Sequence, residues 1–120
     1  MIQIFGTVKC KVSRAAQRFF ADRRIPVQFV DLREKGLSKG ELASVARGVG
    51  GIRALYDAES PRVKERGLQH SAPTDARLAE LLLEDPLLLR TPIVRDGQRA
   101  AVGAAEAQWK AFADAAKKSD

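Results

Sequence analysis

At the start of the chain "IQIF" (residues 2–5) sets three apolar, β-favouring residues around a single polar one before stopping at Gly6, which predicts a short strand and a turn. From Lys11 to about Arg23 the period changes. Val12, Ala15, Ala16, Phe19 and Phe20 recur at three- and four-residue spacing, with Arg14, Gln17, Arg18 and Asp22 on the other side, the pattern of an amphipathic helix. Pro26 ends that region, and "VQFVD" (27–31) reads as a second strand. A strand, a helix and a strand within about thirty residues make a βαβ unit, so the two strands are expected parallel with a right-handed crossover.

After a loop, "LREKGLS", Ser38 with Glu41 forms a capping box that opens a helix through about Arg47, stopped by "GVGG" at 48–51. "IRALYD" predicts a second short helix. Ser60 followed by Pro61 marks another start, and Thr74 caps a helix carrying Leu78, Leu81 and Leu82 that ends near Asp85-Pro86. Then "PIVR" and "QRAAV" flank Asp96-Gly97, a strong hairpin signal because both turn positions favour positive φ. A last helix runs from about Ala104 to Lys117, anchored by Trp109 and Phe112. The order implies an α/β chain with a thioredoxin-like, glutaredoxin-type mixed four-stranded sheet. It reads as one domain over 1–120 with a helical insertion at about 38–89.

Composition narrows this further. With 45% hydrophobic and 30% charged residues, the 120-residue chain can bury a core. The runs "LLL" at 81–83 and 87–89 fall far short of the roughly twenty residues that cross a bilayer, and "MIQIFGTVKC" shows no secretory signal pattern. The net charge of +6 suits anionic partners, but the cations are scattered without interleaved aromatics, which argues against a nucleic-acid binder. The single cysteine cannot form an internal disulfide, so a reducing cytoplasm is expected.

That cysteine, Cys10, stands between Lys9 and Lys11 with Arg14 four residues on, where the first strand hands over to the first helix. Helix N-termini and cationic neighbours lower a thiol pKa, and the free N–H groups there can cradle an oxyanion. Open sheets place their sites outside the carboxyl ends of their strands. Cys10 is thus the candidate nucleophile.

"CKVSR" (10–14), "GGIRAL" (50–55), "GL" (67–68) and "EDPLLLRTPIVRDGQ" (84–98), in this order and spacing, resemble the arsenate reductase family related to glutaredoxin, whose other branch holds the Spx-type regulators. The resemblance spans nearly the whole chain and implies a catalytic thiolate at Cys10. It also implies oxyanion binding by Ser13, Arg14 and Arg53, and a cis proline, Pro92, facing the cysteine. The family's reductases carry arginine directly before that proline. Here Thr91 stands there and Arg90 is one residue earlier. A second family arginine falls near Val102, where the available basic residue is Arg99, and a family histidine is replaced by Gly6. Arg90 and Arg99 are therefore candidates for completing the anion site, with Lys9, Lys11, Thr91 and Pro92 as its structural surroundings.

The resemblance implies reduction of arsenate through a covalent adduct on Cys10. With no second cysteine to resolve it, the electrons must come from an outside thiol, and glutathione with a glutaredoxin is the consistent partner, glutathione being a co-substrate rather than a bound cofactor. Two alternatives stay open: another glutathione-dependent thiol-transfer enzyme, or an Spx-type regulator contacting RNA polymerase, whose usual C-x-x-C switch is blocked by Ser13. Elsewhere, His70 lies in a loop with no partner ligands for a metal, and "GVGG" lacks the lysine and hydroxyl residue of a phosphate loop. The pair Glu84-Asp85 has no evident catalytic partner. Phe19, Phe20 and Trp109 read as core, while "RR" at 23–24 and the tail "KKSD" read as solvated charge near helix C-termini.

Overall fold

The computed structural model describes residues 1–118; the last two residues of the "KKSD" tail, and with them the end of the 1–120 domain, lie outside the described residues. The elements are β1 (Ile2–Gly6), α1 (Lys11–Asp22), β2 (Val27–Asp31), α2 (Lys39–Val49), α3 (Pro61–Glu65), α4 (Asp75–Glu84), β3 (Ile93–Asp96), β4 (Arg99–Val102) and α5 (Glu106–Lys118). The four strands form one mixed sheet in the order β2-β1-β3-β4. β1 and β2 are parallel, Ile2 facing Val27 and Gly6 facing Asp31, as the βαβ pattern requires. β3 runs antiparallel to β1, and the hairpin closes with Asp96 opposite Arg99. This is the thioredoxin-like α/β arrangement.

Alternation along β1 sorts the core onto two faces. Ile2 and Ile4 pack with Ala16 and Phe20 of α1 and with Trp109 and Phe112 of α5. Phe5 points the other way, into a core built by Leu42 and Val45 of α2, Leu78, Leu81 and Leu82 of α4, and Leu55. The helical segment between β2 and β3 therefore covers one face, while α1 and α5 cover the other. No helix of the described residues is long and apolar enough to cross a membrane.

Local signals explain the boundaries. The Ser38–Glu41 capping box is complete, Ser38 Oγ accepting from the Glu41 amide at 3.1 Å and Glu41 Oε1 accepting from the Ser38 amide at 2.9 Å. Three expectations shift. The hairpin turn is Gly97-Gln98 rather than Asp96-Gly97: Asp96 stays in β3 opposite Arg99, and of the two expected turn residues Gly97 alone takes positive φ, at +62. "IRALYD" forms only a single 3-10 turn over Ile52–Leu55, because Tyr56 leaves it to bridge Leu89 antiparallel. The last helix begins at Glu106, two residues later than expected, after Gly103 adopts φ +78. Asp85, almost fully buried, caps a further 3-10 turn at Pro86–Leu88 and pairs with Arg62 at 2.6 Å and Arg66 at 3.4 Å, which accounts for it structurally.

Candidate active site

Cys10 is the N-cap residue of α1. Its backbone is extended (φ −79, ψ 118), its carbonyl accepts the first helical bond from the Arg14 amide at 3.1 Å, and its Sγ accepts from the Ser13 amide at 3.4 Å. A sulfur in the cap position meets the positive end of the helix, where negative charge is favoured. Sheet register brings the second half of the site. Ile93 pairs with Phe5, so the residues just before β3 arrive beside the carboxyl end of β1. There the Thr91-Pro92 peptide bond is cis, Thr91 Oγ1 donates to Cys10 Sγ at 3.2 Å, and the Thr91 carbonyl lies 3.9 Å from the sulfur.

Partial burial works to raise the Cys10 pKa. The Ser13 side chain, the Thr91 hydroxyl and the backbone amides of Ser13 and Val12 outweigh it, so the thiol sits below its ordinary value. Ser13 itself is fully buried, its hydroxyl accepting from the Thr7 amide at 3.4 Å. The sequence expectation shared this task between the helix N–H groups and the neighbouring cations, and the groups found at the sulfur are the amides together with two hydroxyl side chains. Lys9 and Lys11 are exposed side chains, and the groups that hold the thiolate are hydroxyls and amides. Arg14 is turned to the loop instead, donating to the Val8 carbonyl at 2.8 Å and so bracing the approach to Cys10.

The remaining arginines divide. Arg53, on the 3-10 turn, pairs with Asp75 at 2.8 Å and donates to the Pro73 carbonyl at 2.8 Å. Its turn is stitched to the site strand, since Leu55 O accepts from the Arg90 amide at 2.7 Å. Arg90 Nη2 reaches the Tyr56 carbonyl at 3.4 Å, and its side chain passes near Gly103, at the same end of the sheet as Thr91. Arg99 does not join them. β3 leads away from the site, so the Gly97-Gln98 turn and Arg99 fall at the far end of the sheet, where Arg99 pairs with Asp96 at 2.6 Å and lies 4.9 Å over the Phe112 ring. The residue that returns to the site end on β4 is Val102, opposite Ile93. Among the described residues no group of three or more His, Cys, Asp or Glu could hold a metal ion.

Sequence reasoning ranked Thr91 as surroundings and missed it as the hydroxyl that bonds the sulfur. The available signal was its place before the proline expected to face Cys10. Thr91→Val removes one donor to the thiolate and should raise the thiol pKa. Because the thiolate is the reactive form, the pH profile of alkylation by iodoacetamide should rise at higher pH in the variant than in the wild type. Superimposable profiles would show that the 3.2 Å contact carries no charge stabilisation.

A family model described as the ArsC family matches residues 5–112. The chain is 29% identical over 104 residues to an arsenate reductase of Neisseria meningitidis, covering 85% of this chain and 89% of that one. It is 25% identical over 113 residues to the global transcriptional regulator Spx 2 of Lactococcus lactis, covering 93% and 86%. Among solved structures, the arsenate reductase from Vibrio cholerae superposes with a TM-score of 0.79 at 26% identity, covering 92% of this chain and 96% of that one. With the match running from the end of β1 to the middle of α5 and taking in Cys10, Thr91 and Pro92, this chain belongs to the ArsC family.

Proposed function

We propose that the protein is a thiol-dependent oxidoreductase of the arsenate reductase type, with Cys10 as its single nucleophile and glutathione with a glutaredoxin as its external reductant. The observation that carries this reading is the Cys10 sulfur, held as a low-pKa helix cap between the α1 amides and the Thr91 hydroxyl. In the first step the thiolate attacks arsenate, an S–As bond forms, and one oxygen leaves as water after taking up protons. In the second, a glutathione thiolate attacks the Cys10 sulfur. The S–As electron pair leaves with arsenic, which falls from the pentavalent to the trivalent state, and a mixed disulfide remains. A further thiol reduces that disulfide and restores Cys10. Two thiols are thus oxidised for each arsenate reduced, and the chain's one cysteine makes both of them external. Such thiol chemistry suits a reducing cytoplasm.

Arg53, Arg90 and Arg14 are the cations for the oxyanion in this reading, because their segments converge on the site end of the sheet. Arg53 reaches substrate by exchanging Asp75 for it. The pair is 61% and 71% exposed, so the exchange costs little. Arg53→Ala should raise KM for arsenate about tenfold, the loss of one charge-assisted contact, and Asp75→Asn should lower it. Unchanged KM and kcat in both would remove Arg53 from the site.

One observation favours a second reading. The side chains bonded to the sulfur are uncharged, which suits transfer of a glutathione thiol as well as attack on an anion. Arsenate-dependent NADPH oxidation, coupled through glutathione, glutathione reductase and glutaredoxin, tests the first reading. If arsenate gives no turnover while a glutathionylated peptide is reduced, the thiol-transfer reading takes its place.

A further inference from the structure

At the end of the sheet opposite Cys10, a cavity of about 520 Å³ opens between the start of β1, the α1–β2 connection, the β3–β4 hairpin and the last turns of α5. This volume lies within the range of small-molecule sites. Pro26 and Ala116 line it, the buried Ile2 and Ile25 lie beneath, and Met1 stands over it 82% exposed. Arg23, Arg24, Arg99 and Lys117 complete the wall, against a single carboxylate, Asp96. Among the lining side chains that leaves three positive charges in excess, of which the C-terminal ends of α1 and α5, at about half a negative charge each, offset about one.

Helix ends and local pairing account for part of this cluster. Arg23 donates to the Phe19 carbonyl at 2.9 Å and covers the Phe19 ring at 3.6 Å. Arg99 is held by Asp96. Arg24 and Lys117 are different, since among the described residues neither side chain has a hydrogen-bond or ion-pair partner. Arg24 is also the non-glycine residue with positive φ among the described residues, at +58. It stands just past the end of α1, where the amides of Arg24 and Ile25 turn back to the carbonyls of Ala21 and Phe20 at 3.0 Å each. Glycine is the usual residue in that position because a Cβ is strained there. Five glycines elsewhere in this chain do take positive φ. Arg24 thus combines a strained backbone with an unpaired guanidinium in the cavity wall, and residues held in such conformations cluster at ligand sites.

We propose that this cavity is a binding site for an organic phosphate, a mononucleotide-sized dianion with a flat apolar body. Arg24 and Lys117 take the phosphate, Arg24 through its planar fork of donors, while the exposed Pro26 and Met1 take the body. The site is separate from the chemistry at Cys10 and does not depend on it.

The test is an amide-resolved NMR titration of the full chain with AMP, run beside inorganic phosphate and adenosine. AMP should shift the amides of Ile2, Arg24, Ile25 and Lys117, leave Cys10 and Thr91 unmoved, and bind at least about tenfold more tightly than either control. Arg24→Gly should weaken AMP about tenfold or more while raising Tm by about 2–4 °C, since it removes both the donor and the strain. Lys117→Glu should weaken AMP similarly with no change in Tm. The proposal is overturned if AMP at about 5 mM leaves those amides unmoved. It is also overturned if phosphate or adenosine binds as well as AMP, or if Arg24→Gly and Lys117→Glu bind AMP like the wild type.

Discussion

Replacing Cys10 by serine is expected to reduce arsenate-dependent NADPH oxidation by about a thousandfold or more while leaving the fold intact. The chemistry goes because a serine hydroxyl is not ionised near neutral pH and cannot exchange its oxygen with an external thiol. The fold stays because of where the side chain sits. Cys10 caps α1 through a bond from the Ser13 amide at 3.4 Å, and serine is among the strongest residues in that position. Cys10→Ala separates the two roles. It should be equally inactive but lose the cap, at about 1 kcal/mol, and melt several degrees lower than the serine variant. Measured together, turnover and Tm sort chemistry from structure. Residual turnover above about a tenth of wild type in both variants would exclude Cys10 as the nucleophile. A serine variant that melts with or below the alanine variant would mean that position 10 does not cap the helix.

The frame was legible because its signals are local. The change of period at Gly6, the Ser38–Glu41 box and the Trp109–Phe112 anchors each depend on residues a few positions apart and fold as read, and the hairpin forms where Asp96-Gly97 marked it, with its turn one residue later at Gly97-Gln98. Cys10 at the carboxyl end of β1 was legible for the same reason. What the sequence hid depends on register and on side-chain direction. Arg99 was a candidate because the resemblance implies an arginine near Val102 and Arg99 is the basic residue available there. The antiparallel hairpin, however, moves each residue after Ile93 further from Cys10 until the turn, and only Val102 comes back. Lys9 and Lys11 were read as activating cations from adjacency alone, yet adjacent side chains at a helix start diverge, and both reach solvent. Thr91 was undervalued because its partner is 81 residues away, and nothing in a local window marks a hydroxyl aimed at a sulfur. Arg53 was a candidate site arginine, but its hold on Asp75 was not legible, since that contact joins the 3-10 turn to the start of α4 across the helical segment.

Gly6→Ala is the second large effect, and it tests how the site is packed from below. Gly6 ends β1 in extended backbone and is buried, so the substitution strains no dihedral; what it lacks is space. An added Cβ would lie 2.3 Å from Ser13 Oγ and 2.8 Å from Ser13 Cβ. Ser13 is fully buried in the first turn of α1, and its amide holds the Cys10 sulfur. Relief therefore requires the N-terminal turn of α1 to lift from the sheet, carrying the cysteine with it. The expected cost is about 1–3 kcal/mol, the usual range for overpacking, with a drop in Tm of several degrees. The Cys10 pKa should rise at the same time, because the Ser13 contacts are among those that lower it. Alkylation would then begin at higher pH than in the wild type. Gly40→Ala is the matched control: nothing lies within 4 Å of its added Cβ in the first turn of α2, so the same substitution should stabilise by about 0.5 kcal/mol. Adding Ser13→Ala to Gly6→Ala removes the 2.3 Å contact but keeps the 2.8 Å one, so it should recover part of the lost stability and none of the lost acidity. A Gly6→Ala protein that melts within about 1 °C of wild type, with its thiol titration unmoved, would show that the strand end and the helix start are not locked together at Ser13.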